Sequence, residues 1–227
     1  MHWEPSTPDE EYAVPAPVVD AVFNISGRVL PVDHAYALSQ AIQRVLPWFA
    51  DEESAGLHII HGAESGNGWV RPGDPRALLY LSRRTKLTLR IPKGRIAGAS
   101  ALLNQTLDVD GHALRVDKIA LRPLSRITTL FSRYVGIASG DDEAGFLKAA
   151  ADELDTLGIR RRKMLCGLTT PIATPTRTLQ ACSLMLADLS VEESVLLQQR
   201  GLGPHRKLGC GIFLPHKDIE DLRRKSD

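Results

Sequence analysis

The sequence predicts an α+β fold of two tandem βαββαβ units. Apolar residues alternate or recur at helical spacing in the order strand, helix, strand, strand, helix, strand, and the same order returns after residue 128. Gly, Pro or Asp-Gly turn signals separate the segments. With 227 residues, 43% of them hydrophobic, the chain is long enough for two cores of about 100 residues each.

In the first unit, residues 18–25 alternate as a strand, and Gly27 and Pro31 punctuate the turn after it. Leu38, Ile42, Val45 and Phe49 share one helical face, with Asp33 as N-cap, which predicts a helix over 33–49. Residues 57–60 read as a short strand and HGAESGNGWVRPGDP as a loop. Residues 78–81 and 87–91 read as extended. A second helix carries Ile96 and Leu103, and Asp110-Gly111 turns two further extended runs that end near Leu121.

The second unit opens with a strand at 133–138. A helix at 143–157 follows, with Phe146, Ala150 and Leu154 on one face and Gly158 as its stop. Residues 165–168 and 179–186 are extended, Ser190 with Glu193 forms a capping box for a helix closed by Gly201, and 212–214 supplies the last strand. This is the ferredoxin-like, or RRM-like, order taken twice. The predicted organisation is a disordered acidic tail over 1–17, an N-terminal unit over 18–124 and a C-terminal unit over 125–227.

The formal net charge of +1 argues against a strongly basic nucleic-acid binder, but the average hides an asymmetry. Five acids and no Lys or Arg fall within the first 20 residues, leaving 28 basic against 22 acidic residues in the body, a net +6. Residues 71–95 hold Arg71, Arg76, Arg83, Arg84, Lys86, Arg90, Lys93 and Arg95 against the single acid Asp74. Residues 160–187 hold Arg160, Arg161, Arg162, Lys163 and Arg177 with no acid. Each run covers the middle strands of one unit, and such hairpins suit the phosphates of a folded nucleic acid; a solvated sheet face is the plainer alternative. Aromatics are 5% of the chain, and the central strands offer no stacking pair, so backbone or shape recognition is expected in place of base stacking on the sheet.

Cys166, Cys182 and Cys210 are odd in number and widely spaced, which reads as a reduced protein without structural zinc. The N-terminal segment lacks the basic and apolar regions of a signal peptide, and no apolar run reaches the ~18 residues of a membrane span, so a cytoplasmic location is expected.

The segment GLGPHRKLGCGIFLPHK at 201–217 sets Gly201, Gly203, Gly209 and Gly211 around His205, Arg206 and Lys207. Glycine lets backbone N–H groups approach a phosphate and the cations supply counter-charge, although a helix stop and a turn into a buried strand need glycines too. Among seven histidines, His34 stands at the first turn of the best helix, where the dipole favours neutral imidazole and free N–H groups favour a phosphate. His58 begins the second strand, at the far end of the sheet, while His61 ends it nearer the right edge. His112 and His216 read as exposed, and His205 is undecided. His34 and the glycine-rich segment are expected to face one cleft.

With LPVDHAYAL around His34, the tandem βαββαβ order and the GLGPHRKLGCGIFLPHK ending, the chain resembles the CRISPR-associated repeat-processing endoribonucleases, the Cas-six family of RAMP proteins, in its myxobacterial-type branch. The resemblance implies metal-independent cleavage of precursor CRISPR RNA within each repeat, with no cofactor. The 2′-hydroxyl attacks the adjacent phosphate and leaves a 2′,3′-cyclic phosphate and a 5′-hydroxyl. His34 would move the proton. Other branches pair histidine with tyrosine or lysine, and Tyr36 is the nearest candidate, although two positions along a helix its side chain points elsewhere. RNA contacts are expected from Arg83, Arg84, Lys86, Arg160, Arg161, Arg162 and Lys163, and from Gly203, Arg206, Lys207 and Gly209, with Lys207 or loop N–H groups stabilising the oxyanion. Subunits of a CRISPR effector complex are further possible partners, and a non-catalytic RNA-binding scaffold is the alternative reading. A two-H-x-[ST] cyclic phosphodiesterase is excluded because no histidine is followed at that spacing by Ser or Thr in the pattern. A metal nuclease lacks a visible carboxylate cluster.

Overall fold

The computed structural model describes residues 17–62, 71–74, 76–136, 142–160 and 163–216. Residues 1–16 of the predicted acidic tail, Arg161 and Arg162 lie outside them.

Strand β1 (Val18–Ser26) leads through the short β2 (Val29–Pro31) into helix α1 (Ala35–Val45). Leu38, Ala41 and Ile42 on α1 are fully buried, as the periodicity requires. The predicted single helix to residue 49 is interrupted at Leu46: Pro47 has no N–H to donate, and the chain resumes as the one-turn α2 (Trp48–Asp51). The N-cap is His34, not Asp33, whose carboxylate instead accepts the Ala173 N–H at 3.0 Å. Next come β3 (Gly56–His58), β4 (Leu78–Tyr80) and β5 (Lys86–Pro92). The predicted second helix is three short pieces, with α3 (Ile96–Ala99) flanked by 3₁₀ turns, before the hairpin β6 (Thr106–Val109) and β7 (His112–Arg122).

The sheet order β3-β5-β1-β7-β6 is fully antiparallel, and β2 pairs with β4 alone. Ala21, Phe23, Leu57, Leu87, Leu89 and Ile91 from the large sheet pack on Leu38, Ile42 and Phe49 to form the first core.

The second unit runs β8 (Leu130–Gly136), α4 (Glu143–Thr156), β9 (Lys163–Ala173), β10 (Thr178–Ala187), α5 (Val191–Arg200) and β11 (Leu214–Pro215), with sheet order β11-β8-β10-β9. In each half the strand after the first helix lies outermost and the first strand is central, which is the ferredoxin-like arrangement twice over. The capping box forms as expected: Ser190 Oγ accepts the Glu193 N–H at 3.1 Å, and Glu193 Oε2 accepts the Ser190 N–H at 2.8 Å. The β9–β10 hairpin is longer than the sequence suggested. The last strand is shorter, because Ile212 and Phe213 are buried in a turn before it.

The two halves are tied by a buried ion cluster. Arg90, 1% exposed, donates to Asp20 at 2.8 and 3.2 Å on its own sheet, and to the carbonyls of Gln198 (3.0 Å) and Phe213 (2.9 Å) in the other half. Burial alone would raise the Asp20 carboxyl, but the charges of Arg90 and His58 and their hydrogen bonds hold it well below the usual carboxylate range. Arg90 therefore leaves the group of cations expected to meet a nucleic acid.

Candidate functional site

The site is shaped by one irregularity in β8. Opposite β10, Ser132 pairs with Leu184 but Val135 pairs with Cys182, so Arg133 and Tyr134 together face the single residue Ser183. This is a β-bulge, which re-aims side chains that strict alternation would send to opposite faces. Leu130 and Val135 point into the second core. Phe131, Arg133 and Tyr134 all line the cleft between the halves. Ser132 Oγ donates to the Tyr134 carbonyl at 3.0 Å and the Gly211 N–H donates to the same oxygen at 2.7 Å, which holds the bulge from both sides.

Phe131, Arg133 and Tyr134 form a ridge shared by two cavities. The first, about 400 Å³, is completed by His58, His61, Thr85, Lys86, Thr88, Gly209 and His216 among others, with no carboxylate among the described lining residues. The second, about 470 Å³, is completed by Asp33, Arg71 and the β9 residues Thr169 and Thr170 among others. The Lys86 ammonium, on the rim of the first, is held by Asn24 Oδ1 at 2.7 Å.

His34 is buried just behind these walls, 1% exposed. Its Nδ1 lies 2.8 Å from the Pro31 carbonyl, and a carbonyl only accepts, so Nδ1 carries the proton and Nε2 keeps its lone pair. Among the described residues that Nε2 has no hydrogen-bond partner. Burial pushes the His34 pKa below the ordinary value against the pull of the Pro31 bond, and the Arg71 charge adds to the depression. His61, on the wall of the first cavity, is pushed down to about 3 by burial and then by the charges of Arg133 and His34. Its ring centroid is 6.2 Å from that of Tyr134. Burial raises the Tyr134 phenol, opposed by the charge and hydrogen bond of Arg71, which also donates to the Val32 carbonyl at 3.2 Å. His58 ends β3 instead of beginning the strand and lines the first cavity together with His61, with its Nε2 3.3 Å from Asp20 in the ion cluster; burial lowers it despite the Asp20 charge. Among the described residues, no three His, Cys, Asp or Glu side chains gather as a metal-ligand set.

The glycine-rich segment has a different role from the one expected. Arg206 is 9% exposed and donates to the carbonyls of Ser54 (3.3 Å) and Gln199 (3.1 Å); burial, then the charges of Arg90 and Arg200, push its pKa down to about 10. Lys207 donates to the carbonyls of Glu52 and, at 2.9 Å, Ala55, with its ammonium 5.3 Å from the Phe49 ring centroid; burial and then Arg206 push it down to about 8. Both cations are directed into the N-terminal half, so they clasp the halves together and do not present a phosphate-binding wall. Gly203 (φ 73°) lets the backbone pass where a Cβ would lie 2.1 Å from the Gly136 carbonyl oxygen. Gly209 (φ 84°) packs where a Cβ would meet Ile59 at 2.4 Å. The segment reaches the cleft through Gly209 and the Gly211 N–H.

The remaining expected residues divide. Tyr36 faces a separate groove with Arg177, His205 and Lys207, which shares no lining residue with either cavity of the cleft. Arg83 and Arg84 are exposed in the turn that leads into the cavity-lining Thr85 and Lys86. Arg160 and Lys163 are exposed beside the outermost strand β9, Lys163 at 3.0 Å from Asp188, and neither lines the cleft. His216, read as a bystander, lines the first cavity with its ring centroid 6.1 Å from that of Phe131. The spacing of core residues Leu130, Ser132 and Val135, two positions and then three, was the signal for the bulge that sequence periodicity alone passed over.

The family described as Cas6 Crispr matches residues 19–218. The chain is 32% identical over 197 residues to the CRISPR-associated endonuclease Cas6 of Myxococcus xanthus (strain DK1622), an alignment that covers 87% of this chain and 81% of the relative. Among solved structures, a CRISPR-associated protein Cas6 superposes with a TM-score of 0.62 at 11% identity, over 88% of this chain and 100% of that one. A RAMP protein described as binding different RNA substrates superposes with a TM-score of 0.60 at 12% identity over the same shares. At those identities the solved structures establish the tandem ferredoxin-like fold. The sequence matches establish the lineage, and this chain belongs to the Cas6 family.

Proposed function

We propose that this protein is an endoribonuclease that cuts precursor CRISPR RNA within its repeats and needs no metal ion to do so. The 2′-hydroxyl beside the scissile phosphate gives up its proton and attacks phosphorus, the bond to the 5′-oxygen breaks, and that oxygen takes a proton. The products are a 2′,3′-cyclic phosphate and a 5′-hydroxyl. The observation that carries this reading is the His34 imidazole, held with its proton on Nδ1 and a lone pair on Nε2 without a partner among the described residues, beside a cleft whose first cavity carries Lys86 and Arg133 and no carboxylate among its described lining residues. A depressed pKa keeps that base neutral near pH 7, as a proton acceptor requires.

Tyr36 faces another groove, so the proton for the leaving oxygen is better supplied from the ridge, where the Tyr134 phenol stands beside Arg71 and Arg133. A second reading makes His61 the base, with His34 behind it as a positioning residue, because His61 lines the cavity whereas His34 is 1% exposed. Incubation of the protein with its cognate repeat RNA in EDTA tests the activity, with a cut at one position as the expected result. His34→Ala is expected to bind the RNA as the native protein does and to lose at least about 100-fold in single-turnover rate. A similar loss in His61→Ala alone, with His34→Ala unaffected, would select the second reading. Tight binding without product by the native protein would leave an RNA-binding scaffold.

A further inference from the structure

We propose that the 400 Å³ cavity is a nucleotide subsite that seats one unpaired base of the RNA next to the cut, stacked on Phe131 and His216. Phe131 stands on a central strand, part-exposed, in a row of planar groups. The Arg133 guanidinium is 5.9 Å from its ring centroid, and the His216 ring, just past the neighbouring β11, is 6.1 Å away and tilted by 50°. The backbone fixes this row. β11 pairs with β8 through Leu214–Phe131 and Pro215–Leu130, and the His216 N–H donates to the Thr129 carbonyl at 2.9 Å. Among the described residues the central strands hold no aromatic pair, as composition suggested, but the pairing of β8 with the edge strand β11 brings the His216 ring to Phe131.

The rest of the cavity matches the other parts of a nucleotide. Lys86 and Arg133 supply positive charge, Thr85 and Thr88 supply hydroxyls, and none of the described lining residues is acidic, which suits a phosphodiester. The volume is at the small end of ligand cavities, the scale of one nucleotide and not of a duplex. An aromatic face stacks any base, so the subsite selects for an unpaired nucleotide more than for one letter. His61 and Tyr134 line the same cavity, which places the seated nucleotide against the groups invoked for cleavage. The subsite deepens the endoribonuclease reading and rests on it.

The test uses repeat RNA made uncuttable by a 2′-deoxy sugar at the scissile position, with 2-aminopurine placed in turn at each nucleotide flanking the cut. Quenching at one position on binding to the native protein is expected, as is its loss in Phe131→Leu and in His216→Ala, the latter a change at an exposed side chain that leaves the fold intact. Removal of the base at that position is expected to weaken native binding about tenfold and to leave Phe131→Leu binding unchanged. Binding without quenching at any flanking position, or an equal loss in both proteins on base removal, overturns the subsite while leaving cleavage intact. Failure of the native protein to bind the RNA overturns the subsite together with the function it rests on.

Discussion

Arg206 and Lys207 of the glycine-rich segment, and Lys86 and Arg133 of the cleft, are the same residue types in opposite settings. The first two send their charges inward onto the carbonyls of Glu52, Ser54, Ala55 and Gln199, and burial lowers both pKa values. The second two border a cavity with no carboxylate among its described lining residues. The difference lies in what surrounds each cation: buried backbone carbonyls absorb the first two charges, whereas the second two stand on a cavity wall that a ligand can approach. Positive charge in a sequence therefore locates neither a clasp nor a nucleic-acid site until the nearby carbonyls and carboxylates are known.

The clasp is most severely broken at Gly203. A Cβ there meets the Gly136 carbonyl oxygen in the backbone, which cannot rotate aside, and the left-handed φ of 73° disfavours any other residue. Gly203→Ala is expected to cost about 3 kcal/mol in denaturant unfolding, strain and clash together. A variant of native stability that had lost only RNA affinity would reverse the assignment and restore this segment as a ligand-binding wall.

The cleft is sharpened by acid. His61 has its folded pKa pushed down to about 3, so between its ordinary value and that limit the unfolded chain binds a proton that the folded chain does not. Unfolding free energy then falls as pH falls, by about 1.4 kcal/mol per pH unit for each such histidine. Arg206 and Lys207, at about 10 and about 8, stay protonated throughout this window and contribute no slope. Between pH 6 and pH 5, His61→Asn is expected to flatten the native slope by close to that amount. An unchanged slope would mean that the cleft does not hold His61 neutral.

The order of elements was legible because core positions repeat at 2 or 3.6 residues and because Ser190, Glu193 and Gly201 act through their immediate neighbours. His34 was legible from its place at a helix start. The ridge was not, since the bulge at Arg133 and Tyr134 breaks alternation, and the pairing of Phe131 with His216 joins residues 85 positions apart through β11. Arg206 was misread for a related reason. Its carbonyl partner on Ser54 lies 152 positions away, and local sequence carries no trace of it.

The smallest effect separates the two kinds of cation most directly. Lys86 is exposed and donates to the Asn24 side chain, so Lys86→Ala is expected to change stability by less than about 0.5 kcal/mol. If its ammonium neutralises a phosphate, the slope of log binding constant against log salt concentration becomes shallower by about one. Arg206→Ala is expected to show the converse: a salt slope equal to the native one, with unfolding at lower denaturant because the Ser54 and Gln199 carbonyls lose their donor. Filter binding of the 2′-deoxy RNA across a salt series measures both slopes. A shallower slope for Arg206→Ala would show that its charge reaches the RNA after all, and that the clasp opens when RNA binds.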